Sequence, residues 1–207
     1  GASDAYVAKF NTSGSRQWIT FLGGEDVDQG RGVAIDPAGN VFIAGTSEAT
    51  WNGSPRRAFT SAKDGFVAKL NPSGILQWNA FLGGSGDDEG RGIAVDGSGN
   101  AYVAGSSEAA WGSNPTRAYT AGRDAFAAKL NSSGTLQWHA FLGGSSTDSG
   151  NDVVFSLALG GSVFVAGDSQ GAWGAPVRAH SGAQDGFAAC LNASGALQWN
   201  TFVGGTD

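Results

Sequence analysis

Three groups of residues in this 207-residue sequence have side chains and spacings that could do chemistry. The first is acidic. The Gly-rich stretches GGEDVDQG, GGSGDDEG and GGSSTDSG start at Gly23, Gly83 and Gly143 and hold Asp26, Asp28, Asp87, Asp88, Glu89 and Asp148. Calcium takes about six to eight oxygens from carboxylates and carbonyls, so Asp26, Asp28, Asp87, Asp88 and Asp148 form a candidate calcium set. Their spacing matches no EF-hand loop, and the third stretch keeps only Asp148 of the cluster. The favoured expectation is structural: an Asp in a tight crossing bonds backbone N–H groups. No cofactor other than calcium is a candidate.

The second group joins an indole to a guanidinium. Trp51 and Arg57, Trp111 and Arg117, and Trp173 and Arg178 recur in three polar connectors. An aromatic platform beside a planar fork is carbohydrate-binding chemistry. The simpler expectation is that each Trp plugs its connector and each Arg pairs with an acid, Asp64, Asp124 or Asp185. The third group is sparse. His139 and His180 stand at different repeat positions, and Cys190 replaces Lys9, Lys69 and Lys129 of the other copies. They form no triad, zinc motif or disulfide. The glycines fit no phosphate-binding loop. No catalytic residue is identified, and a non-enzymatic protein is expected.

The elements that position these groups repeat. DAYVAKFNTSGSRQWITFLGG begins at Asp4, and its copies begin at Asp64, Asp124 and Asp185, at spacings of 60, 60 and 61 residues. Each copy predicts a hairpin. Phe66, Ala68 and Leu70 alternate with Val67 and Lys69, NPSG (Asn71–Gly74) makes the turn, and Leu76, Trp78, Ala80 and Leu82 share one face of the return strand. Both faces are apolar, which suits a sheet covered on both sides. A second hairpin, RGVAIDPAGNVFIAG from Arg31 and RGIAVDGSGNAYVAG from Arg91, follows each crossing. Its third copy, VVFSLALGGSVFVAG from Val153, lacks the Asp…Gly-Asn turn and predicts a longer, more apolar tip. Trp18, Trp78, Trp138 and Trp199 are expected to pack between units.

Composition narrows the class. Charged residues make up 14% of the chain, against roughly 25% in an average soluble domain. The net charge is −6 and no Lys/Arg cluster exists, which argues against a nucleic-acid partner. No apolar run is long enough for a membrane span. Met is absent, even at position 1, so the chain is expected to begin at a processed end or to be a piece of something longer.

Four short antiparallel strands per unit of about 60 residues, in tandem, make an all-β protein of propeller blades. The ordered motifs DAFAAKLN, SGTLQW, FLGGS and IAVDGSGNAYVAGSS resemble the bacterial SBBP (seven-bladed β-propeller) repeat family, and more loosely the NHL repeat. The resemblance covers nearly the whole chain. It implies a secreted or cell-surface bacterial protein and supplies no catalytic residues.

The first hairpin occurs four times and the second three times. With the second hairpin taken as the first two strands of a blade, the expected architecture is a partial or open propeller, with a half-blade at 1–24 and blades at 28–84, 88–144 and 148–205; the other phase leaves the half-blade at the C-terminus instead. A structural, assembly or adhesion role is expected, with other chains or further blades of the same protein completing the half-blade. The alternative is a lectin-like module binding glycans through the Trp/Arg connectors. A hydrolase with its site in further blades is the third option.

Overall fold

The computed structural model describes residues 2–206, and all regular structure in it is β. β1 (Ala5–Phe10) and β2 (Arg16–Leu22) pair as a two-stranded sheet. Three four-stranded sheets follow. They are β3 (Asp28–Ile35) to β6 (Leu76–Leu82) with β4 (Val41–Ser47) and β5 (Asp64–Leu70) between; β7 (Asp88–Val95), β8 (Ala101–Ser107), β9 (Asp124–Leu130) and β10 (Leu136–Leu142); and β11 (Asp148–Ser156), β12 (Ser162–Ser169), β13 (Asp185–Leu191) and β14 (Leu197–Val203). Each sheet is an antiparallel meander in chain order. The chain is a partial β-propeller: a half-blade followed by three blades.

Period-two alternation decides which residues each blade buries against which neighbour. On one face Phe42, Ala44, Val67, Trp78, Ala80 and Leu82 form a single cluster with Ile93, Trp111, Phe126 and Phe141 of the following blade. On the other, Ile43, Phe66, Ala68 and Phe81 pack with Ala5 and Leu22 of the half-blade. Leu76 departs from the expected alternation. A bulge pairs Leu70 with Leu76 but Lys69 with Trp78, which turns Leu76 onto the Phe66 face.

The first strand of each blade touches its neighbours most closely. β7 lies across β4 and β5 and beside β3, and β11 repeats this on β8, β9 and β7. On that side β3 lies beside β1. At the hairpin turns a tryptophan stitches blade to blade. Trp18, Trp78 and Trp138 donate Nε1–H to the carbonyls of Pro72, Ser132 and Ala193, each at 3.1 Å, in the turn of the following blade. Those turns need Gly74, Gly134 and Gly195, whose φ values are near +80° and over which the indoles lie. The third inner hairpin has the expected long tip, with Leu157 and Leu159 exposed.

Candidate functional site

The connector between the second and third strands carries the Trp and Arg of each blade. Trp51 enters edge-on against Phe66 and Phe81, Trp111 against Phe126 and Phe141, and Trp173 against Phe187 and Phe202. All three indoles are buried, so none offers an open face to a sugar ring. His139 stacks on Trp111 at 4.4 Å and bonds its carbonyl through Nε2. Asn200 does the same work under Trp173. His139 is thus a core residue, held neutral because burial pushes its pKa down.

The arginines do not pair with the acids expected of them. Arg57 donates Nη1–H to Phe81 O at 2.8 Å and Nη2–H to Gly83 O at 2.7 Å. Arg117 clamps Phe141 O and Gly143 O, and Arg178 clamps Phe202 O and Gly204 O. The planar fork fits two carbonyls at the end of an outer strand, where the ladder has run out. Two of the guanidiniums also span a junction: Arg57 lies 5.2 Å from the ring centre of Trp111, and Arg117 lies 5.3 Å from that of Trp173. Tryptophan and arginine therefore do meet, but across blades and under cover. Arg117→Ala would strand two carbonyls and a cation–π contact. A loss of about 2–4 kcal/mol is expected in urea unfolding, and Arg117→Lys, which has no fork, should recover little of it.

Asp28, Asp88 and Asp148 open the first strands, each buried. Their Oδ2 atoms accept the N–H of Gly24, Gly84 and Gly144 at 2.7–2.9 Å, and their Oδ1 atoms accept the hydroxyls of Ser47, Ser107 and Ser169. They stand at three separate junctions. Asp26 is exposed, and Asp87 faces Lys63 at 3.9 Å. The candidate calcium set is not brought together, and among the described residues no three His, Cys, Asp or Glu side chains converge as a metal group.

A second set of carboxylates entered the sequence reading only as expected arginine partners. Asp64, Asp124 and Asp185 begin the third strands and accept the backbone N–H of Thr60, Thr120 and Ser181 through Oδ2. Their Oδ1 atoms are buried with no hydrogen-bond partner among the described residues. Asp64 and Asp88 both face the bare α-carbon of Gly83, and Asp124 and Asp148 that of Gly143. Burial pushes Asp64, Asp88 and Asp124 up to about 6, more than the neighbouring donors and Arg57 or Arg117 pull them down. Glu89 behaves oppositely: burial raises it, but Arg91 at 3.0 Å, with Arg31 and Arg123 behind, holds it below the usual range. Recurrence of Asp at the start of each third strand was the available signal.

A cavity of about 660 Å³ lies between β1 and β3, lined by Tyr6, Ala8, Gln29, Arg31, Val33 and Ile43 among others. It lies along the edge of β1 away from β2.

Residues 17–50 and 77–109 match the family model SBBP, described as a beta-propeller repeat. Those two segments, and not the whole chain, are matched as SBBP repeats. Each matched SBBP segment runs from an outer strand, β2 or β6, through the crossing to the second strand of the next blade, so it spans the Asp28–Ser47 or Asp88–Ser107 contact. The chain is also 27% identical over 179 residues to regulatory protein FlaEY of Caulobacter vibrioides. That alignment covers 82% of this chain and 18% of the relative, so the SBBP array here corresponds to a minor part of that protein. No helix of the described residues is long and apolar enough to cross a membrane.

Proposed function

We propose that this SBBP array is a non-enzymatic module of the bacterial cell exterior, with an assembly or adhesion role, whose partners are further propeller repeats that complete the half-blade. One observation carries this reading: β1 has an open edge. In each whole blade the third strand is paired on both sides, whereas β1 pairs with β2 alone among the described strands. The cavity is lined by residues 3–8, at β1, and by residues 28–33 of β3, so it borders the half-blade's contact with the first whole blade. Val33 borders it and is 62% exposed, while its counterpart Ile93, covered by β4, is 8% exposed. An open edge beside apolar side chains takes up an extended segment by strand addition. Meanwhile the connector tryptophans and arginines, with Asp28, Asp88 and Asp148, are engaged with the array's own backbone, hydroxyls and rings. The FlaEY relative is named a regulatory protein. Placement outside the cell rests on the family resemblance.

The test is to supply the inner hairpin as a peptide, Asp88–Ser107, and follow amide exchange of the intact chain. Saturable slowing over Ala5–Phe10 is expected. Unchanged exchange there at millimolar peptide would overturn the reading.

A further inference from the structure

The stitch described above occurs three times, and one half of it is left over at each end of the array. Gly14 closes the turn Asn11–Gly14 with φ +78°, as Gly74, Gly134 and Gly195 close theirs, yet nothing lies within 4 Å of its bare face. At the other end, Trp199 is the counterpart of Trp18, Trp78 and Trp138, and it is 38% exposed where Trp78 is 5%. We infer that the two ends are the halves of one blade junction, and that a second copy docks head to tail with Trp199 seated on the Asn11–Gly14 turn of its neighbour. This rests on the assembly reading and narrows it to a named contact.

The surroundings of knob and seat agree. Beside Trp199, Val203 is 67% exposed, whereas Leu82 at the same repeat position is fully buried under the next blade. Around the seat, Tyr6, Phe10 and Phe21 are exposed, while their counterparts Phe66, Leu70 and Phe81 are buried against the preceding blade. These two patches occupy the positions that, in the cluster joining the β3–β6 blade to the β7–β10 blade, are held by Trp78 and Leu82 on one side and Phe126, Leu130 and Phe141 on the other. The polar contacts are matched as well. In the first junction Trp18 Nε1–H bonds Pro72 O and Thr20 Oγ1–H bonds Gly74 O at 2.6 Å. Trp199 and Thr201 stand at the same two positions, so they would bond Thr12 O and Gly14 O of the second copy. The outer hairpin alone receives the stitch, and the half-blade has that hairpin. Such a contact is heterologous, so it propagates until it closes as a ring or continues as a filament.

Light scattering of the whole chain across a concentration series tests this. The average mass should rise with concentration, and Trp199→Ala and Val203→Asp should each weaken association by at least about tenfold. Near-ultraviolet circular dichroism and the melting transition establish that both variants are folded. A monomer at every concentration, or association that survives both changes, would overturn the inference. Binding of the Asp88–Ser107 peptide reports on the open edge separately and should persist in Trp199→Ala. Loss of the head-to-tail contact is thereby distinguished from failure of the assembly reading.

Discussion

Gly105→Ala is expected to destabilise the chain by about 4 kcal/mol or to prevent folding altogether. Gly105 lies in β8 opposite Gly90, where a bulge brings the first strand close, and opposite Phe126 on the other side. A Cβ there would fall on the carbonyl of Glu89 and lie 2.7 Å from Phe126 Cε1. The carbonyl belongs to the ladder and cannot retreat. Phe126 is buried between Trp111 and its own sheet, so its ring cannot swing away. Gly45 and Gly167 meet the same obstacles, Gln29 O with Phe66 and Ser149 O with Phe187, so the constraint belongs to the repeat. Gly97 is the control: it has open space and should accept alanine within about 0.5 kcal/mol. Chemical unfolding of the two variants side by side decides the matter, and equal stabilities would refute it.

Lowering the pH from 8 to about 4.5 is expected to stabilise the protein. Asp64, Asp88 and Asp124 sit at about 6, above the ordinary value of 3.8 kept in the unfolded chain. Between these values the folded state holds more protons than the unfolded state. Their contribution is therefore complete below the unfolded pKa and is lost as pH rises through about 6. Asp28 and Asp148 are raised too and add in the same direction. His139 opposes them, because its depressed pKa costs stability as pH falls, but it is one group against five. Below about pH 4 the profile should turn over, since Glu89 and Asp96 are held low by their arginine and amide donors and are lost on protonation. A gain on the order of several kcal/mol raises the melting temperature by about 10 °C for a chain of this size. Asp64→Asn should flatten part of the slope. A melting temperature that is higher at pH 8 than at 4.5 would refute the assignment.

The architecture was legible because the repeat imposes one pattern four times over. Alternation in DGFVAKL, the Asn71–Gly74 turn and the count of four outer hairpins against three inner ones led directly to a half-blade and three blades. Leu76 was misplaced because a bulge adds a residue to one strand without any residue type that marks it. The arginine partners were illegible for another reason. Phe81 O and Gly83 O are main-chain atoms, which every residue carries, so no side chain in the sequence points to them. The pairing of Arg57 with Trp111 depends on how consecutive blades stack, which periodicity within a blade does not contain. Calcium was suggested by carboxylates close in sequence that the strand starts then distribute among three junctions.

Arg57 and Arg117 each clamp the last strand of their own blade and reach onto the indole of the next, and this gives the array a direction. Energetically the three blades form a one-dimensional lattice in which the same bond couples the first to the second and the second to the third. Loosening one outer strand frees its arginine, which uncovers the following tryptophan and lowers the cost of opening that blade in turn. Melting then travels down the chain as a front, and the strength of one guanidinium sets how far it runs before it stops.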